Sequence, residues 1–147
     1  MHDFFLTWAF PLDGHHFQVG DAHYLAAAYT IYTSGGRSPQ EVDSLIYHWT
    51  GASFAEFQPI PTHGARDWEH FEIDGAHYLV VANHDDSSSY SIDSQIYHWT
   101  GASFVEFQRI PTHGALDWEH FEIDGAHYLT VSNFLGLGVM TTAAPIA

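Results

Sequence analysis

The sequence predicts an all-β protein built from four-stranded antiparallel units that recur about every fifty residues. Three observations carry this. The stretch DWEHFEIDGAHYL stands at 67–79 and again, unchanged, at 117–129. Runs of alternating apolar and polar residues are separated by Asp-Gly and Thr-Gly dipeptides, the turn chemistry of hairpins. Aromatic residues make up 16% of a chain that is 46% hydrophobic, which favours strands over helices and argues against disorder.

The elements follow in order. Aligning 44–83 with 94–133 leaves six differences: Leu45/Gln95, Ala55/Val105, Pro59/Arg109, Arg66/Leu116, Val80/Thr130 and Ala82/Ser132. A diverged copy lies upstream, where DAHYL at 21–25 matches GAHYL at 75–79 and His16-Phe17 matches His70-Phe71. The spacing predicts strands at 15–21, 23–29, 44–50 and 53–60, then 68–74, 77–84, 95–100 and 103–110, then 118–124 and 127–133. Asp74-Gly75 is read as a type I′ turn, because both residues accept positive φ. The loop at 32–43 carries the four residues by which the first period exceeds the second, and insertions belong in loops.

Four-stranded units repeating at this period are the mark of β-propeller blades. The chain reads as a partial propeller of about two complete blades plus a half, spanning 1–133, with repeats near 13–60, 67–110 and 117–133 and a non-repeat tail at 134–147. FFLTWAF at 4–10 is a candidate outer strand for the half-blade. Nearly three blades fall short of the 4–8 in a closed ring, so a fragment of a longer array, a homo-oligomer or an open three-sheet solenoid is expected.

The marks IYxW at 46–49 and 96–99, Gly-x-x-F at 51–54 and 101–104, FQ at 57–58 and 107–108, and DWExF with IDGxxYLxVxN in both copies resemble the EAR repeat, also called the epitempin or EPTP repeat, found in leucine-rich glioma-inactivated and TSPEAR proteins. The resemblance covers 44–133 densely and 13–29 loosely. It implies an extracellular, non-enzymatic protein–protein interaction module whose partner is a protein such as a cell-surface receptor. The alternative is a calcium- or carbohydrate-binding lectin-like propeller.

Charge narrows the partners. Eighteen carboxylates face three arginines and no lysine, a formal net charge of −15, which opposes binding to nucleic acid or anionic membranes. No apolar run reaches the ~20 residues of a spanning helix. Asp3 stands where a signal peptide would be positive, so no signal peptide is read there. The absence of cysteine removes disulfides and thiolate metal sites.

Candidate site residues are few. Asp67 and Asp117 open the first strands of two blades, where a channel would lie, and are the candidate calcium ligands. Their other role would be to satisfy backbone N–H groups near the connecting turn. Eleven histidines sit at repeat positions; His70 and His77 face each other across a hairpin, but as a set they read as strand residues facing neighbouring blades. Trp49, Trp68, Trp99 and Trp118 read as packing between sheets before sugar stacking. Asp85, Asp86 and Asp93 lack calcium-loop spacing and read as an exposed loop. Glu69 and Glu72 are a carboxylate pair copied into each blade, whereas glycosidase chemistry needs two different environments. No catalytic or phosphate-binding motif occurs, and no enzyme activity is expected. Pro59/Arg109 and Arg66/Leu116 flank the interblade connector and are the positions a partner would read.

Overall fold

A computed structural model describes residues 8–33, 36–37, 41–86, 88–134 and 136–141. The strands are β1 (Trp8–Val19), β2 (Ala22–Thr33), β3 (Gly36–Arg37), β4 (Glu41–Trp49), β5 (Phe54–His63), β6 (Ala65–Ile73), β7 (Ala76–Asn83), β8 (Asp93–Trp99), β9 (Phe104–Pro111), β10 (Ala115–Ile123), β11 (Ala126–Asn133) and β12 (Gly136–Thr141). They form three antiparallel sheets in chain order: β1-β2-β4-β5 with β3 beside β2, then β6-β7-β8-β9, then β10-β11-β12. This is the all-β, blade-by-blade architecture that the repeats predict.

Turn chemistry sets the hairpins. Asp74 and Gly75 have φ of 51° and 84°, and Asp124 and Gly125 have 52° and 83°, the paired positive values of a type I′ turn. Thr50 closes the longer hairpin by accepting N–H bonds from Ala52 and Ser53 on its hydroxyl at 3.3 and 3.2 Å, and Thr100 does the same fifty residues later.

The connectors are fixed by polar side chains. Buried Asn83 accepts the His63 N–H at 3.0 Å and donates to the Asp93 carbonyl at 3.1 Å. Thr62 and Ser44 join hydroxyls at 2.8 Å, as Thr112 and Ser94 do at 2.9 Å. Those bonds explain why the Asn ending each YLxVxN run and the IPTH connector recur together.

The core lies between sheets. Phe17, Tyr24, Ala26 and Ile46 of the first sheet pack on Trp68, Leu79, Val81 and Phe104 of the second. Phe71, Tyr78, Val80 and Ile96 of the second pack on Ala115, Trp118, Leu129 and Val131 of the third. Val80 and Val81 thus point into different interfaces, so β7 reads as a continuous apolar run instead of an alternating one.

Two sequence expectations change. Trp8–Phe10 do not complete the last blade; they are the start of β1 and pair with Thr30–Tyr32 of β2. The remainder of FFLTWAF lies outside the described residues. Within the supposed tail, β12 pairs with β11 in the register of a third blade strand: Leu129 faces Met140 as Leu79 faces Tyr97. The third sheet therefore has three described strands, not two.

Candidate functional site

The inner edge of each blade is built by a bulge. Register shifts fall between Pro11 and Asp13, Ala65 and Asp67, and Ala115 and Asp117, one at the same place in each first strand. A bulge re-aims the side chain that follows it. Here it turns an aspartate toward the neighbouring blade. Asp67 Oδ2 accepts the Trp118 N–H at 3.1 Å, and Glu69 Oε2 accepts the His120 N–H at 3.0 Å. Side chains two apart on a strand share a face, and so do N–H groups two apart, so the Asp-x-Glu of β6 meets two consecutive edge N–H groups of β10. Edge N–H groups left bare would invite foreign strands. The repeated DWEHF supplies both halves of this contact, the acids and the strand that needs them.

Three aspartates converge there. The Asp67 carboxyl hydrogen-bonds with those of Asp13 and Asp117, and burial, followed by these bonds, pushes its pKa far above the ordinary carboxylate range. Two carboxyl groups can bond only if one carries a proton. Burial likewise raises Glu69, partly opposed by the bond from His120. Among the described residues no group of three or more His, Asp or Glu is arranged to hold a metal ion. Asp13 was absent from the sequence candidates, although the upstream alignment sets it opposite Asp67.

The histidines form one cross-strand pair per blade. Nε2 and Nδ1 lie 2.9 Å apart in His16–His23 and 3.0 Å apart in both His70–His77 and His120–His127. One nitrogen of each pair must donate and the other accept, so a doubly protonated pair loses its bond. Between blades, Phe17 stacks on His70 and Phe71 on His120, with centroids 4.8 and 5.0 Å apart. Burial first, then neighbouring His77, His15 and His120, lowers the His70 pKa to about 4. The expectation of histidines facing neighbouring blades describes His70 and His120, and the cross-strand pairing holds as well.

On the outer side, the first two blades are clamped by a carboxamide. Gln58 of β5 donates from Nε2 to the Phe104 carbonyl at 2.7 Å and accepts the Phe104 N–H on Oε1 at 2.9 Å. Beside this clamp lies a groove of about 400 Å³ lined by Gln58, Pro59, Pro61, Tyr97, Glu106 and Arg109, among others. An adjoining hollow of about 310 Å³ shares Arg109, His63 and Gln95 with it and adds Asp86 and Asp93 from the acidic loop. Arg109 holds Glu106 at 2.7 Å, with both side chains exposed, a contact worth little stability but one that fixes the one arginine among the described residues of the groove wall.

The other sequence candidates fall as follows. Pro59 and Arg109 share this groove, whereas Arg66 and Leu116 are the bulge residues before Asp67 and Asp117 and do not line it. Glu69 accepts a backbone N–H of the third blade, whereas Glu72 is exposed. Asp85 is buried, and Asp86 accepts N–H bonds from Ser88 and Ser89 at 2.9 Å, so the acidic loop is partly anchored and not simply exposed. Trp99 packs among Tyr24, Phe57 and Phe104 between blades. Trp49, its counterpart in the first blade, is exposed beside Phe54. Trp68 and Trp118 are fully buried.

Comparison with known proteins agrees with the repeat reading. The family model described as EPTP domain matches residues 53–100 and 103–141, more than half of the chain. A 78-residue stretch, 52% of this chain, is 42% identical to the mouse (Mus musculus) thrombospondin-type laminin G domain and EAR repeat-containing protein. The same length is 43% identical to the human (Homo sapiens) protein of that name. The match spans 11% of either relative's length.

Proposed function

The chain belongs to the EPTP domain family, and from that premise we propose that it is a non-enzymatic protein–protein interaction module of propeller blades, working outside the cell on a protein partner such as a cell-surface receptor. It acts as a piece of a longer blade array or as the protomer of an oligomer. One observation carries the reading. Pro59 and Arg109 are counterparts in two nearly identical copies, and they line one groove between the first two blades. Duplication alone would leave these positions alike. The Pro59/Arg109 difference makes one wall apolar and the other cationic in a chain of net charge −15. A partner offering an apolar side chain next to a carboxylate fits such a groove.

The test is a panel of purified cell-surface ectodomains passed over the immobilised chain. Wild type and the exposed-site control Glu72→Gln should bind the same ectodomain, and Arg109→Glu should weaken it at least tenfold. Binding indifferent to Arg109→Glu, or confined to changes at Asp86 and Asp93, would place the surface elsewhere.

A second reading, calcium or glycan recognition, rests on the convergence of Asp13, Asp67 and Asp117 and on exposed Trp49. Calcium would have to displace the shared proton, so it predicts a melting temperature that rises with Ca²⁺ above pH 8 and falls with EDTA. A melt unmoved by either removes the calcium half; a melt unmoved by glycans removes the other.

A further inference from the structure

We propose that Tyr90 is a site of O-sulfation, modified by a tyrosine sulfotransferase that reads the acidic loop around it. The inference rests on the extracellular reading, because such transfer belongs to the secretory pathway. The loop HDDSSSYSID at 84–93 joins β7 to β8, where the blade copies stop matching, so blade packing does not dictate the tyrosine.

Three observations single out this residue. First, Tyr90 is 41% exposed, whereas Tyr24, Tyr78 and Tyr97 are buried between sheets. Second, its hydroxyl makes no hydrogen bond among the described residues. Tyr29 and Tyr47, by contrast, bond to each other at 2.7 Å, and Tyr97 bonds to Gln95. Third, the residue is held in place without the phenol oxygen. Its carbonyl accepts the Gly114 N–H at 2.7 Å, and its ring leans on Phe134 and His84 with centroids 5.4 and 5.1 Å away. The loop fixes the ring and leaves the nucleophilic oxygen unbonded.

The surroundings fit the enzyme's chemistry. The donor is an adenosine phosphosulfate, so a transferase that holds it needs a cationic cleft, and an acceptor flanked by carboxylates is drawn into such a cleft. Asp85 and Asp86 precede Tyr90, Asp93 follows it, and no arginine or lysine occurs from 67 to 108. Bonds from the Ser88 and Ser89 N–H groups lower the Asp86 pKa and keep it ionised. Arg109, which shares a hollow with Asp86 and Asp93, is engaged by Glu106. Ser88, Ser89 and Ser91 add neither bulk nor charge beside the acceptor. In the reaction the Tyr90 phenol oxygen attacks the donor's sulfur and a new O–S bond forms. The bond from sulfur to the bridging phosphate oxygen breaks, the nucleotide leaves with that electron pair, and the phenol proton passes to a base of the transferase. Nothing is oxidised or reduced. A sulfate monoester stays ionised at physiological pH, so the loop gains a fixed anion next to the hollow that Ser91 and Ile92 line.

The experiment incubates the purified full chain with a tyrosylprotein sulfotransferase and sulfur-labelled adenosine phosphosulfate, and maps the label by peptide mass spectrometry. One sulfuryl group is expected, on the fragment carrying 84–93. Tyr90→Phe should abolish incorporation, and Tyr128→Phe should leave it unchanged. Asp86→Asn combined with Asp93→Asn keeps the loop's acceptors but removes its charge, and should slow transfer by at least about tenfold. Circular dichroism checks the fold of each variant, and the mapped position in wild type decides the matter should Tyr90→Phe misfold. No incorporation, label mapped to another residue, or label retained in folded Tyr90→Phe overturns the proposal. Equal rates in the double Asn variant overturn the role given to the acidic loop. Failure of the extracellular reading shows differently: the chain accepts sulfate in vitro yet stays in the cytosol of cells that make it.

Discussion

Replacing Trp68 and Trp118 one at a time by Phe gives an internal measure of interblade bonding. Both indoles occupy the same position in consecutive blades, at 0% and 2% exposure. Trp118 Nε1 donates to the Val81 carbonyl at 3.0 Å, while Trp68 Nε1 is buried without a partner. Either change to Phe removes similar volume and should cost roughly 1–2 kcal/mol, a fraction of the 3–5 of a full truncation to Ala. Trp118→Phe additionally loses a hydrogen bond worth about 1 kcal/mol, whereas Trp68→Phe removes an unsatisfied donor whose burial costs about 1–3 kcal/mol. The two effects have opposite signs, so Trp118→Phe should be the less stable by about 2 kcal/mol or more, some 4–8 °C in melting temperature for a chain of this size. Urea and thermal melts followed by circular dichroism read this directly. Equal losses, or a larger loss for Trp68→Phe, would refute the bonding difference between the two interfaces.

Acid should destabilise the fold through His70, whose folded pKa is lowered to about 4 from 6.5. A depressed base binds protons more readily when unfolded, so its contribution is intact above pH 6.5 and is lost as pH falls toward 4. With screening by partial exposure it amounts to about 1–2 kcal/mol, and His70→Phe should flatten that part of a stability–pH curve. Asp67 has the opposite sign: its folded pKa is raised, so ionising it costs stability as pH rises above about 4. Asp67→Asn keeps an acceptor for the Trp118 N–H and should raise the melting temperature at pH 8 more than at pH 4; an equal or lower value at pH 8 would deny the shared proton. Asn83→Ala removes a buried side chain that accepts one backbone N–H and donates to one backbone carbonyl, and should cost about 2–3 kcal/mol by urea unfolding. Asn133→Ala, half-exposed, should cost visibly less.

Much of the fold was legible because it is set by local chemistry repeated in the chain. Asp74-Gly75 dictates its turn whatever surrounds it, and alternation placed the strands of the second blade within three residues, whereas the first strand begins at Trp8, seven residues before the expected start. β12 was hidden because GLGVMT shares no side-chain pattern with IYHW; its pairing to β11 uses backbone groups that any sequence provides. The site was harder to foresee. Asp67 and Asp117 were singled out for a channel, yet their interaction depends on a bulge and on Asp13, whose equivalence was visible only through an upstream alignment broken by Gly14 and His15. The Gln58 clamp reaches a backbone 46 residues away, and no spacing rule connects a glutamine to a carbonyl in another blade.

The central claim is that the Asp67-x-Glu69 pair of the second blade caps the bare edge of the third. Amide hydrogen exchange at Trp118 and His120 tests it most directly, because these are the two N–H groups that the carboxylates accept. Both amides should exchange at least about a hundredfold more slowly than in an open chain, and Glu69→Ala should release His120 while leaving Trp118 protected. Open-chain exchange at both sites in the folded wild type, or protection of His120 that survives Glu69→Ala, would contradict it.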